Sequence, residues 1–205
     1  MIRNLIFDFG QVLVRFDADE MLSPYLSDPD DRKTVAPVLF DRLYWDRFDA
    51  GSMEEETALA EMLPRLPKRL QIPAEQAFRN WYFHLPPVDG MWDLVKRVKC
   101  NFGVSVYLLS NISKEFEKHA SEFPVLREMD GCVFSASSGF VKPSREIFAH
   151  LCETFGLVPD ECLFIDDSPR NIAGAEAFGI HGYLFDGNAA KLETVLTDLF
   201  TTQNK

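Results

Sequence analysis

Short apolar runs, separated by longer stretches with three- and four-residue periodicity, recur along most of this 205-residue chain. The runs Leu5–Phe7, Val104–Leu109, Cys132–Phe134, Cys162–Ile165 and Tyr183–Phe185 are too short for helices and read as strands. Between them, Gly90–Lys99, Lys114–Glu122, Glu146–Phe155, Pro169–Phe178 and Ala189–Leu199 read as helices. Strands alternating with helices predict parallel βαβ units with right-handed crossovers, hence an α/β chain with a Rossmann-like sheet. The clearest helix signal is Ser168 as N-cap, Pro169 at the first helical position and Gly179 just past the end. It fixes Asp166 and Asp167 between a strand and a helix.

The alternation fails between residues 15 and 86, where Ala18–Leu26, Val35–Phe48, Met53–Leu63 and Ala74–Phe83 read as helices and nothing reads as a strand. Pro86–Pro87 closes that stretch. The expected organisation is a core of residues 1–14 plus 87–205 and a helical cap of residues 15–86. An insert leaving the sheet at the carboxyl end of the first strand lies over the ligand crevice of an α/β sheet, where it can act as a lid.

Composition narrows the chemistry. A hydrophobic share of 46% and 18 phenylalanines suffice for a packed core. A formal charge of −11 argues against nucleic acid, whose binding needs a basic surface, but leaves room for one small phosphorylated ligand. Cys100, Cys132, Cys152 and Cys162 form no CxxC pair, so neither a zinc knuckle nor a disulfide framework is expected. Asp8 interrupts the first apolar run early, and no stretch approaches the ~20 apolar residues that cross a bilayer. The expected setting is the cytoplasm, with no membrane partner. Oligomeric state is not legible.

Two strands end in acid. Asp8 follows an otherwise apolar strand and is the first candidate for chemistry; Asp166 and Asp167 end another. Four strand-end motifs occur in order: FDFGQV with Asp8, LLSN with Ser110 and Asn111, VKPSREIF with Lys142, and FIDDSPRN with the acidic pair. In this quartet the chain resembles the haloacid dehalogenase superfamily over its full length, with the helical cap between the first and second motifs. It is most similar to the branch holding sugar-1-phosphate phosphatases and the N-terminal phosphatase domain of soluble epoxide hydrolase.

The resemblance implies an Mg²⁺-dependent phosphatase acting on a small phosphate ester, a sugar phosphate among the candidates. Asp8 is the expected nucleophile, forming an aspartyl-phosphate that water hydrolyses. A hard divalent cation lets carboxylate and phosphate approach, with Asp8, Asp167 and the Gly10 carbonyl as expected ligands and Asp166 as a further metal-site carboxylate that the family pattern sets in the outer shell. Ser110 and Asn111 suit phosphate oxygens, Lys142 adds a positive charge at nucleophile and phosphate, and Asn171 orients Lys142 or a metal ligand.

One position departs from the superfamily. Most of its phosphatases carry a second aspartate two residues after the nucleophile, as general acid and base; here that position is Gly10. Such a group is typically worth about 10²–10⁴ in rate. Either the leaving group is good enough to need little protonation, or a cap residue supplies the proton, with Asp17, Asp46, Asp49 and His84 as candidates. On the first view, Gly10→Asp should extend activity to simple alkyl phosphates. Two other readings compete: a metal-independent 2-haloacid dehalogenase, and a non-catalytic phosphate-ligand-binding protein that lost turnover at Gly10.

Overall fold

The computed structural model describes residues 1–203. Five parallel strands form one sheet: β1 (Asn4–Phe7), β2 (Ser105–Ser110), β3 (Gly131–Phe134), β4 (Cys162–Asp166) and β5 (His181–Leu184), in the order β3-β2-β1-β4-β5. Between β1 and β2 come α1 (Ala18–Leu22), α2 (Pro29–Leu39), α3 (Arg42–Asp49), α4 (Glu55–Met62), α5 (Lys68–Arg79) and then α6 (Met91–Phe102). The remaining helices are α7 (Lys114–His119), α8 (Ser135–Ser138), α9 (Arg145–Phe155), α10 (Pro169–Phe178) and α11 (Ala189–Gln203). The α/β expectation with a Rossmann-like sheet holds.

The strands read as unbroken apolar runs because both faces of the sheet are covered. Leu5 and Phe7 pack with Leu94 of α6, Phe116 of α7 and Leu196 of α11, while Ile6 faces the opposite way toward Ile147 of α9 and Ile172 of α10. Each fully buried side chain of this size is worth about 1.5–3 kcal/mol of transfer free energy.

Register positions the chemistry. Phe7 pairs with Leu108 on one side and Ile165 on the other, and the Asp8 amide donates to the Ile165 carbonyl at 2.9 Å. The residues just past these pairs are therefore Asp8, Ser110 and the acidic pair of β4. Chain order reverses direction between β1 and β4, and ligands of open parallel sheets bind outside the carboxyl ends at such a switch point.

The insert has a cluster of its own, including Leu22, Val35, Leu39, Phe48, Leu59 and Phe78, and Phe40 and Trp45 pack against both this cluster and the main core. Its helices differ from the sequence expectation in two places. The stretch read as one helix over Val35–Phe48 is two, α2 and α3, broken because the Asp41 carboxylate caps α3 by accepting from the Leu43 amide. The last helix begins at Lys68 rather than Ala74 and runs through Pro73; packing of Leu70, Ala74 and Phe78 offsets the lost hydrogen bond.

Candidate active site

Asp8 lies just past the end of β1 and is 8% exposed. Its Oδ1 accepts from its neighbour's amide, Phe9, at 2.7 Å and lies 2.7 Å from Lys142 Nζ. The same ammonium donates to Asp166 Oδ2 at 2.8 Å, so one buried lysine joins the ends of β1 and β4. Burial pushes the Asp8 carboxyl up to about 7; Asp166 adds to the rise and Lys142 opposes it. Burial by itself would lower the Lys142 pKa, but Asp8 and Asp166 outweigh it and the ammonium is held above its ordinary value. Both directions follow from desolvation set against close charges.

Asp166 is fully buried and saturated with donors. Oδ1 accepts from the Ser168 amide at 2.8 Å and from Asn171 Nδ2 at 3.0 Å, and Oδ2 accepts from Asn171 Nδ2 at 3.0 Å besides Lys142. Asn171 therefore orients Asp166 rather than Lys142. Asp167 is exposed, and one carboxylate oxygen each from Asp8, Asp166 and Asp167 lie within 4.8 Å of one another. Burial and the Asp166 charge raise the Asp167 carboxyl above the usual range.

Asn111 lines the same chamber as Asp8 and Lys142, and its side chain is bonded to the Lys142 backbone. Its Oδ1 accepts from the Lys142 amide at 2.8 Å and its Nδ2 donates to the Lys142 carbonyl at 3.1 Å. The side chain is spent on holding the lysine backbone. The following amide, Ile112, donates to Ser135 Oγ at 2.9 Å. Ser110, 2% exposed, lines the chamber. Lys142 is joined to Pro143 by a cis peptide, and α10 packs so closely on Pro143 that a Cβ at Gly174 would lie 2.7 Å from its carbonyl oxygen.

These groups face a chamber of about 300 Å³ lined by Asp8, Gly10, Ser110, Asn111, Lys142 and Asn171 from the core, with Phe16, Arg42 and Asp49 from the insert side and Arg170 at the start of α10. Of the four insert residues considered as proton donors, Asp49 alone borders it. Asp17 caps α1, Asp46 pairs with Arg42, and His84 Nε2 lies 3.0 Å from the Tyr25 hydroxyl. Burial raises the Asp49 carboxyl to about 6, with Arg42 lowering, Asp46 raising and Lys142 lowering it. The backbone of Asp49 is pinned to the core: its carbonyl accepts from Ser135 Oγ at 2.5 Å. Sequence reading missed Phe16 and Arg42, which carry no motif. Arg15, just past β1, pairs with Glu20 at 3.6 Å and Asp89 at 3.4 Å.

The model of the haloacid dehalogenase-like hydrolases matches residues 4–179. The chain belongs to that family. It is 28% identical over 199 residues to a sesquiterpene phosphatase of Aspergillus oryzae, covering 92% of each chain. It is 27% identical over 199 residues to a D-ribitol-5-phosphate phosphatase of Bacteroides thetaiotaomicron, covering 89% of this chain and 91% of that one. In fold it is similar to a haloacid dehalogenase family enzyme of Bacteroides thetaiotaomicron solved with magnesium and inorganic phosphate, with a TM-score of 0.69, 23% identity and 92% and 96% of the two chains covered. Xanthobacter autotrophicus L-2-haloacid dehalogenase shares the fold at a TM-score of 0.64 and 16% identity, covering 89% and 76%. As a haloacid dehalogenase-like hydrolase, the chain carries the family's four motifs at the carboxyl edge of the sheet.

Proposed function

We propose that this hydrolase is a phosphoric monoester phosphatase whose nucleophile is Asp8. The observation that carries the reading is the charge cluster at the strand ends: one carboxylate oxygen each from Asp8, Asp166 and Asp167 lie within 4.8 Å of one another, and the single buried ammonium, Lys142, touches Asp8 and Asp166. Carboxylates outnumber the ammonium, and the raised Asp8 and Asp167 carboxyls register that surplus: a further cation would favour their ionised forms. The donor set fits a hard dication. Asp8, Asp167 and the Gly10 carbonyl would hold Mg²⁺, and Asp166, with both oxygens already bonded, supports them from outside. Bound there, the ion supplies charge neutralisation for an incoming phosphate dianion. A dehalogenase needs no such cation, and its substrate gives no reason to keep the acidic surplus.

The side chains then divide the work. Asp8, its Oδ1 fixed by Lys142 and the Phe9 amide, presents its carboxylate to phosphorus with little freedom to turn. Lys142, with Arg42 and Arg170 at the chamber wall, offsets the phosphate charge, and Ser110 offers a hydroxyl. As the Asp8–phosphorus bond forms, the phosphorus–oxygen bond to the alcohol breaks, and the alkoxide takes the proton from the Asp49 carboxyl. Water then attacks phosphorus and passes a proton to the Asp49 carboxylate, the Asp8–phosphate bond breaks, and inorganic phosphate leaves. Asp49 thus fills from the insert the role that Gly10 leaves open, and its raised carboxyl suits both halves of the cycle.

Hydrolysis of p-nitrophenyl phosphate with Mg²⁺ or with EDTA, beside Asp8→Asn, tests the reading. Metal-dependent release that vanishes in the variant is expected. Chloride release from 2-chloropropionate without metal would assign a dehalogenase, and inactivity on both would assign a binding protein.

A further inference from the structure

Beyond the chamber lies a second compartment of about 270 Å³, walled by Phe16, Met21, Phe40, Trp45, Trp81 and Ile112. The two spaces share Phe16, Arg42, Asp49 and Asn111 as a common boundary. A phosphate seated over Asp8 therefore has its ester oxygen at a neck with Asp49 on one side, and whatever is esterified to it extends among aromatic rings.

Of the polar side chains bordering this compartment, some are bonded elsewhere and the others lie at the neck. The Trp45 indole N–H donates to the Leu39 carbonyl at 2.7 Å. The Asn111 amide is held at both ends by the Lys142 backbone. The Arg42 guanidinium, paired with Asp46, and the Asp49 carboxyl border both spaces and so sit at the neck beside the phosphate. A leaving group with a hydroxyl on each carbon would bury those hydroxyls against Phe and Trp faces without partners, which is penalised. A hydrocarbon or aryl group meets no such penalty and removes its own apolar surface from water. Trp45 and Trp81 are 5.1 Å apart and edge-to-face; Trp81 is buried in the main core and Trp45 packs against both that core and the insert cluster, so neither has to be ordered on binding.

Resting on the phosphatase reading, we infer that the substrate class is the phosphate monoester of an apolar alcohol, with the aromatic compartment as its leaving-group subsite. The polar sugar phosphates raised by the sequence resemblance are then poor substrates.

A series of n-alkyl phosphates from ethyl to octyl tests this without a leaving-group confound, because the alcohols have nearly equal acidity. On the wild-type protein kcat/KM should climb by roughly two- to fourfold per methylene, the upper value being that of full burial, until the compartment is filled. Glucose 6-phosphate should not exceed ethyl phosphate. Trp45→Gln should flatten the climb and Trp45→Phe should retain most of it. A flat series, or glucose 6-phosphate outrunning octyl phosphate, in a preparation that hydrolyses p-nitrophenyl phosphate overturns the inference and leaves the phosphatase standing. Failure on p-nitrophenyl phosphate as well removes the phosphatase reading itself.

Discussion

Asn111 and Lys142 hold each other through two reciprocal hydrogen bonds, side-chain amide to main-chain amide, across 31 positions of sequence. The lysine ammonium touches Asp8 and Asp166 from a backbone clamped in this way. Asn111 is thus a positioning residue. Asn111→Ala leaves a partly buried amide and carbonyl without partners, a loss of about 1–3 kcal/mol in stability. Displacement of the ammonium by about 1 Å would lower kcat by as much as ~10²-fold. Urea denaturation and steady-state kinetics separate the two effects. A variant that loses stability with kcat intact would show that the clamp does not govern the lysine.

Asp8 sets a pH dependence of stability that metal binding should relieve. Its carboxyl ionises near 7 in the folded protein and near 3.9 in an unfolded chain, so the folded state binds the proton more tightly. That contribution is fully present below about pH 4 and is lost as the pH rises through about 7. Comparing wild type with Asp8→Asn in EDTA isolates it: the variant should gain stability over wild type between pH 5 and pH 8. Mg²⁺ should stabilise wild type more than the variant at pH 8. A difference that shrinks with rising pH would contradict the environment described for Asp8.

Gly10 and Phe16 exclude an acid at the position where most of the family's phosphatases have one. A Cβ at Gly10 would lie 2.7 Å from Phe16 Cε2, closer than side chains approach. The gain in alkyl phosphate hydrolysis expected of Gly10→Asp therefore meets an obstacle: alone, the substitution should destabilise by about 1–3 kcal/mol through overpacking. Paired with Phe16→Ala, the new carboxylate has room, and ethyl phosphate turnover should rise above that of Phe16→Ala alone. Melting temperature and kcat across the four proteins of this cycle check the coupling.

Asp49 should reveal itself through leaving-group dependence. Asp49→Asn is expected to lose about 10²–10⁴ in kcat/KM on ethyl phosphate, whose alkoxide must be protonated. p-Nitrophenyl phosphate should lose much less, because its phenolate leaves unaided. The alkaline fall of the ethyl phosphate profile, set by the carboxyl near 6, should vanish in the variant. Equal losses on both esters would assign Asp49 to binding instead.

The sheet was legible because strands buried on both faces leave uninterrupted apolar runs, and because an acid at the end of such a run has few structural uses. β5 was displaced in the reading, Tyr183–Phe185 against His181–Leu184, since an edge strand is only half covered and its pattern is diluted. Local signals misled where they competed: the helix expected to begin at Ala74 begins at Lys68 and passes through Pro73. Within the chamber, motif residues were identifiable by type, but the partner of Asn111 was not, because it comes from another strand's loop. Asp49 stood among equals in sequence. Only the path of the insert back over the sheet separates it from Asp17, Asp46 and His84.

Ser135 belongs to none of the four motifs, yet its hydroxyl receives the Ile112 amide from the core and is given to the Asp49 carbonyl of the insert. Beside the packing of Phe40 and Trp45, one hydroxyl outside the chamber thus ties the end of α3 to the core. The walls facing the alcohol can be repainted by mutation while the proton donor stays in register with phosphorus, so new substrates are within reach of this scaffold without rebuilding its chemistry.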